Sequence, residues 1–114
     1  MKNNWYILLL LLILTGCAVW PLGEDPKGKE YRAQANILVE LIVKYKKENG
    51  ELPLSLKALS PKHIQVLPEV ANYSFYSKEK ESLEYSYSPS WPQLGQTSCF
   101  IVIGGGKWSC HGYI

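Results

Sequence analysis

The stretch that decides the fold is EYRAQANILVELIVKYKKENG, residues 30–50. Its apolar side chains recur at the i, i+3, i+4, i+7 spacing of a helix with one buried face. Lysines crowd its last turn, and Gly50 follows where a left-handed residue often ends a helix. The segment therefore predicts one long amphipathic helix packed on a sheet. Its apolar face comprises Tyr31, Ala35, Leu38, Leu41, Ile42 and Tyr45, widened by Ile37 and Val43.

The segment before this helix predicts a tether. Residues 18–28 contain two prolines and two glycines, a composition typical of irregular chain. Asp25-Pro26 would suit a helix cap and first helical position, but Gly28 disfavours a helix that starts there. We therefore expect a tether over 17–28 and a single domain over 29–114. The polar face of the helix, which we expect to be solvated, comprises Arg32, Glu40, Lys44, Lys47 and Glu48.

The last third of the chain changes to the two-residue period of strands. Two alternating runs flank the charged turn SKEKES, residues 77–82, and CFIVI, residues 99–103, predicts a central strand. After GGGK turns the chain, WSCHGYI returns beside it. We predict an α+β fold, with the helix on an antiparallel sheet of three or four strands. Between helix and sheet, an edge of the core is expected to be covered by Leu54, Leu56, Leu59, Ile64, Val66 and Leu67.

The N-terminus has the layout of an export signal. Lys2 precedes Trp5–Leu14, ten residues without a charge, and small residues follow in LLILTGCAVWPLG, residues 11–23. A membrane-spanning helix needs about 20 apolar residues. Extending the run to Leu22 gives 18 residues only by including Thr15, Gly16 and Pro21. A retained anchor helix is therefore the second interpretation.

The motif Leu14-Thr15-Gly16-Cys17 resembles the lipobox of bacterial lipoproteins. The resemblance implies that signal peptidase II cuts between Gly16 and Cys17. Cys17 would then carry diacylglycerol on its sulfur and an acyl chain such as palmitate on its amine, which attaches the chain firmly to a membrane. The alternative is an ordinary cysteine in an anchor helix. By the same resemblance, Ala18 in place of Asp favours the periplasmic face of the outer membrane, if the organism has one.

The chain has three cysteines, an odd number for an exported protein. If Cys17 carries lipid, Cys99 and Cys110 remain, and an oxidising compartment favours a disulfide between them. A turn centred on Gly104-Gly105 would place them face to face, and Ile101 opposite Trp108. A turn centred on Gly105-Gly106 would offset the pair. We predict the bond and leave the register open.

Residues 43–70, VKYKKENGELPLSLKALSPKHIQVLPEV, together with the paired strands and the C-terminal cysteines, resemble the globular part of type IV pilins and pseudopilins. The residues that carry the resemblance are Tyr45, Asn49-Gly50, Pro53, Ser55-Leu56, Leu59, Pro61 and Pro68. It implies one helix laid across an antiparallel sheet. Pilins, however, begin with a Gly-Phe-Thr-Leu-Ile-Glu-type segment that builds the filament core. Here the lipobox stands in its place, so the filament role does not carry over.

The residues predict no catalytic or metal site. A net charge of +2 and 19% charged residues exclude a basic nucleic-acid surface. His63 and His111 do not match a zinc spacing, and Asp25, the only Asp, argues against a Ser-His-Asp triad. GGGK lacks the spacing of a phosphate loop and predicts a turn. Core or edge packing is favoured over a binding patch for the aromatic residues Tyr76, Tyr87, Trp91, Trp108 and Tyr113.

Two functions follow from these expectations. The preferred one is a lipid-anchored envelope protein without enzymatic activity, cofactor or small-molecule substrate, which acts structurally or through a protein partner. The alternative is a pseudopilin-like component of a type II secretion or type IV pilus system that keeps its N-terminal anchor helix. The state of Cys17 separates them.

Overall fold

The predicted helix is present and begins earlier than expected. In the computed structural model, which describes residues 20–113, helix α1 spans Pro26–Asn49. Asp25 caps its start by accepting a hydrogen bond from the Gly28 N–H. At its end Gly50 adopts the left-handed conformation (φ 80°), and its N–H donates to the Lys46 carbonyl over 2.8 Å. The tether predicted for residues 17–28 is therefore wrong in its second half, where the chain is helical or packed.

Four strands form one antiparallel sheet in the order β1-β2-β3-β4, which confirms the α+β prediction. Each strand pairs with the next along the chain, and β3 lies inside the sheet as predicted for CFIVI. Two 3₁₀ turns, Leu56–Leu59 and Glu69–Tyr73, connect α1 to the sheet. The strands are β1 (Ser74–Ser77), β2 (Ser82–Tyr87), β3 (Gln96–Val102) and β4 (Ser109–Tyr113).

The core lies between α1 and the inner face of the sheet. Alternate residues of β2 are buried, as their two-residue period predicts, and four residues of the α1 stripe are buried against them. Burial of apolar area at about 25 cal/mol per Å² makes this contact the main source of stability. The central residues are Tyr31, Ala35, Leu38, Ile42, Leu83, Tyr85, Tyr87, Cys99 and Ile101.

The predicted apolar stripe of α1 is too wide. Ile37 and Val43 are 44% and 42% exposed, so the expectation that they widen the buried face is wrong. A helix turns by about 100° per residue, which places both side chains roughly 100° or more from the centre of the stripe. A single sheet on one side of α1 does not reach that far around it.

The connection between helix and sheet is packed at only some of its predicted positions. Leu59 is fully buried, and Leu56 and Leu67 pack partly against the core. Leu54 and Val66, by contrast, are 82% and 78% exposed, so their predicted place in the core is wrong. Each lies next to a buried or half-buried neighbour in irregular chain, where no period fixes which side chains point inward.

The domain has two distinct ends. The entry pole is defined here as residues 20–25, the start of α1, the β2–β3 loop (residues 88–95) and the adjoining strand ends Gln96 and Tyr113, which pair with each other. The distal pole holds the end of α1 and the turn 78–81. There the Lys78 Nζ lies 3.3 Å from Glu51 Oε2, and the Ile103 N–H donates to the Glu81 carbonyl. The chain enters the described fold at the entry pole.

Candidate functional site

A disulfide joins the last two strands. Cys99 in β3 and Cys110 in β4 are bonded and lie directly opposite each other, with Cα atoms 4.1 Å apart. This is the register expected from a turn centred on Gly104-Gly105. The strand pairing ends at Phe100 and Ser109, so the opposition of Ile101 and Trp108 expected from the same register is not part of the ladder. The bond links the edge strand β4 covalently to β3, which lies inside the sheet.

Gly23 lies directly on this disulfide. A Cβ atom at position 23 would lie 2.7 Å from Cys110 Sγ and 3.1 Å from Cys99 Sγ. Its φ of 82° is also in the region that favours glycine. Glycine is therefore required at position 23 for two reasons: a side chain would collide with the disulfide, and the backbone has a positive φ. The short segment ahead of α1 is therefore part of the packed domain.

Arg32 reaches the same disulfide from α1. Its Nη2 lies 3.1 Å from Cys110 Sγ, and its Nε donates to the Tyr85 hydroxyl over 3.1 Å. Burial raises the pKa of Tyr85, and the hydrogen bond and charge of Arg32 partly offset this. Arg32 was expected on the solvated face of the helix. That expectation is wrong, because the side chain is half-buried between helix and sheet.

Trp108 closes the other side of the Arg32 side chain. The guanidinium lies 5.1 Å from the indole ring centroid, within the range of a cation–π contact. The indole Nε1 donates to Asn36 Oδ1 over 2.8 Å, and its ring meets Tyr85 edge-on at 5.2 Å. Arg32, Tyr85, Trp108 and the disulfide thus form one cluster, here called the arginine cluster. Each polar group named in it has a partner within the protein.

Asp25 forms a second polar cluster at the start of α1. The carboxylate is fully buried and accepts hydrogen bonds from the Tyr87 hydroxyl, the Ser90 N–H and the Gly28 N–H. Burial by itself would raise the pKa of Asp25, but these hydrogen bonds bring it below its ordinary value. Burial and the negative charge of Asp25 raise the pKa of Tyr87. The pair is held as a carboxylate and a neutral phenol.

Gly28 is what allows this arrangement. A Cβ atom at position 28 would clash with the Tyr87 hydroxyl and would lie 2.7 Å from Asp25 Oδ1. The residue that disfavoured an early helix start in the sequence is therefore needed for tertiary packing. Asp25-Pro26 was a usable signal for the true start, since Asp is a strong N-cap residue and Pro suits the first helical turn.

The cleavage-site residues and the two histidines complete the residues considered in the sequence. Cys17 and Gly16 lie outside the described residues. His63 is packed against the ring of Tyr45, with its Nε2 3.4 Å from Glu48 Oε2, whereas His111 is exposed on β4. Within residues 20–113 no three His, Cys, Asp or Glu side chains are grouped for metal binding. The two histidines therefore lie in separate parts of the described fold.

The aromatic residues divide between the core and the surface. Tyr87 is buried, Trp108 belongs to the arginine cluster, and the Tyr76 hydroxyl donates to the Pro53 carbonyl over 2.6 Å. Trp91 and Tyr113 remain exposed at the entry pole. The preference for core or edge packing over a binding patch is therefore confirmed for the first three residues and wrong for Trp91, whereas Tyr113 lies on the edge strand β4.

Comparison with known proteins gives no relative. No family model matches the chain, and neither the curated proteins nor the solved structures contain a match. Among residues 20–113, no helix combines the length and the apolar character that crossing a membrane requires.

Proposed function

We propose that the chain is a membrane-anchored bacterial lipoprotein with a non-enzymatic structural or interaction role in the cell envelope. The observation that carries the proposal is the position of the fold relative to Cys17. Gly23, six residues after the cysteine of the Leu14-Thr15-Gly16-Cys17 motif, already packs against the disulfide, and Asp25 is fully buried. Cleavage before Cys17 would thus release a chain that starts at the edge of a packed domain.

The cysteine pairing supports the same proposal. The chain has three cysteines, and Cys99 and Cys110 are bonded to each other. This leaves Cys17 as the cysteine available for lipid. A disulfide also suits an exported domain, since such bonds persist in oxidising compartments. In our proposal the lipid on Cys17 holds the domain at the envelope, on the periplasmic face of the outer membrane where the organism has one.

The proposed role is structural because Asp25 and Arg32, the charged groups between helix and sheet, are already used for packing. Asp25 caps α1 and binds Tyr87, and Arg32 bridges Tyr85 and the disulfide. The architecture of one helix followed by an antiparallel sheet is also what the resemblance to pilins implies. We therefore propose a pilin-like assembly or interaction module without a cofactor or small-molecule substrate.

The alternative is a pseudopilin-like component of a secretion or pilus system with a retained anchor helix. The chain just before α1 bears on this alternative. The Glu24 N–H donates to the Pro21 carbonyl over 3.0 Å, and Gly23 has a positive φ, so a turn separates Trp20 from α1. An anchor helix would have to end before this turn and could not run straight into α1. This favours the lipid anchor.

Metabolic labelling tests the proposal. The full chain is produced in a bacterium that processes lipoproteins, with an alkyne analogue of palmitate in the medium. We expect label on the wild type and none on Cys17→Ser, which should accumulate as the uncut precursor. Cys110→Ser is the matched control, and it should keep the label. An unlabelled wild type that remains in the membrane with residues 1–16 attached would instead support the retained anchor.

A further inference from the structure

We propose that the entry pole of the domain lies in the membrane interface, with Trp91 and Leu94 inserted among the lipid headgroups. The occupant of this surface would be the bilayer that holds the chain. The inference rests on the membrane attachment proposed above, in either its lipid or its helical form. It adds the orientation of the domain and the residues that touch the lipid.

The first observation is an apolar surface at the entry pole. Trp91 is 84% exposed and Leu94 is 78% exposed, both in the loop 88–95. Trp and Tyr are enriched at membrane–water interfaces, where the ring contacts the acyl region and the polar atom meets water. Large apolar side chains exposed together also indicate an interaction surface. The surface is completed by Trp20, Leu22 and Tyr113, which are 38%, 43% and 53% exposed.

The second observation is that these side chains belong to one end of the fold. The Gln93 Nε2 donates to the Trp20 carbonyl over 3.2 Å, which joins the loop to the incoming chain. A Cβ atom at Gly112 would lie 3.1 Å from Leu22 Cδ2, so Leu22 packs beside the end of β4. The incoming chain, the loop and the last strand therefore present a common surface.

The third observation is the short reach of the anchor. Trp20 is the third residue after Cys17, and an extended chain spans at most about 3.5 Å per residue. Trp20 therefore lies within about 10 Å of the lipid-bearing cysteine. Each interfacial layer of a bilayer is about 5–8 Å deep. Because Gly23 and Asp25 are buried against the domain, only a short length of chain joins the lipid-bearing cysteine to the entry pole, which keeps this pole near the membrane surface.

The fourth observation is the charge difference between the poles. The loop SPSWPQLG, residues 88–95, contains no charged residue, whereas the distal turn 78–81 reads KEKE. Removing a charged group from water is costly, so the loop 88–95 suits contact with lipid better than the distal turn, while Glu24 and Glu30 at the entry pole would stay on its water-exposed side. Lys27 and Lys29 flank this surface, and lysines near a membrane extend their amines toward the headgroups.

The loop is also held in a fixed position. The Ser90 N–H donates to Asp25 Oδ2 over 2.8 Å, and the Lys27 N–H donates to Ser90 Oγ over 3.3 Å. Trp91 directly follows this pinned residue. Its side chain is therefore presented from a rigid base, which lowers the entropy lost on insertion.

Fluorescence quenching tests the insertion. The purified full chain is reconstituted into vesicles of phosphatidylethanolamine and phosphatidylglycerol whose acyl chains are brominated near the headgroup. We expect quenching of the wild-type tryptophan emission. Trp91→Phe should lose the larger part of the quenched emission. The matched control, Trp108→Phe, removes an indole held in the arginine cluster and should leave the quenched emission unchanged. Equal quenching in wild type and Trp91→Phe overturns the proposal.

A second variant guards against a folding artefact. Leu94→Glu changes an exposed side chain and should keep the wild-type unfolding midpoint in detergent, while it reduces quenching of Trp91 in vesicles. Unchanged quenching in Leu94→Glu would overturn the proposal. A wild type that stays with the vesicles but is not quenched would also overturn it, since the loop would then be covered by a second copy or another protein. If the wild type does not remain with membranes at all, the anchoring proposal fails too. Membrane recovery therefore separates the two failures.

Discussion

The guanidinium of Arg32 lies 3.1 Å from Sγ of Cys110 and 3.8 Å from Sγ of Cys99. This contact links helix α1 to both strands of the last hairpin. The same guanidinium hydrogen-bonds to Tyr85 in β2 and covers the ring of Trp108. A single side chain on the flank of the helix thus fixes how α1 sits across three strands.

We expect Arg32→Met to lower the free energy of unfolding by about 2 kcal/mol. The change leaves the buried Tyr85 hydroxyl without its partner, which costs about 1–3 kcal/mol, and it removes a cation–π contact worth about 1 kcal/mol. Urea unfolding measures the effect. Lys44→Met, on the exposed face of α1, is the matched control and should stay within about 0.5 kcal/mol of wild type. Equal losses in the two variants would contradict the role given to Arg32.

Gly28→Ala should destabilise the protein although alanine is the better helix former. Alanine favours a helix interior by about 1 kcal/mol over glycine. At position 28, however, its Cβ would clash with the Tyr87 hydroxyl. Forcing such a group into a packed core costs about 1–3 kcal/mol, so we expect a net loss of about 1–2 kcal/mol. Thermal unfolding followed by circular dichroism measures it.

The control for this change is Gly105→Ala. A Cβ atom there would meet nothing within 4 Å. We therefore expect its melting temperature to match that of wild type. A Gly28→Ala variant that is as stable as wild type would show that the Asp25–Tyr87 contact tolerates displacement.

Asp25→Asn should have a lower free energy of unfolding than wild type at neutral pH. Its free energy of unfolding should also fall less than that of wild type when the pH is lowered. The folded-state pKa of Asp25 lies below its ordinary value of 3.8, so its stabilising effect is fully present above that pH. The effect is lost as the pH falls through the lower folded-state pKa. We expect a difference of about 1–2 kcal/mol at pH 7, from the weakened cap and hydrogen bonds. Urea unfolding at pH 7 and pH 3 should show this difference shrinking, and a constant difference would contradict it.

Replacing both bonded cysteines, Cys99→Ala with Cys110→Ala, should lower the free energy of unfolding by about 3 kcal/mol or less. The crosslink closes a short loop, which limits the entropy it removes from the unfolded chain. Chemical denaturation of the full chain in detergent provides the measurement. Cys17→Ala removes the proposed lipid anchor but no disulfide, outside the described domain, and should leave the midpoint unchanged. A larger shift for Cys17→Ala than for the pair would refute this assignment.

The sequence predicts the elements and their order well because periodicity reports burial directly. The stripe from Tyr31 to Ile42 repeats at the helical period, and alternate residues of β2 repeat at the strand period. The glycine run predicts the turn of the last hairpin but allows two registers, and the structure has the one that places Cys99 opposite Cys110. These are local signals, and the structure contains the helix, strands and turn that they predict.

What the sequence does not predict comes from contacts between distant segments. Gly28 looks unfavourable in a helix until Tyr87 is placed beside it. Arg32 looks solvated until β4 brings Trp108 over it. Leu54 and Val66 lie in irregular chain where composition suggests burial but no period assigns a direction. In each case the deciding neighbour is far along the chain.

The placement of Gly23 on the disulfide also determines where the domain bears mechanical load. Tension on the chain ahead of Trp20 passes first to Gly23 and the Asp25 cap, before it reaches any strand. The covalent link between Cys99 and Cys110 lies directly beneath and cannot shear. Under such a pull the helix start would peel away while the last hairpin stayed intact, so the noncovalent contacts of residues 20–25 set the force that the domain withstands.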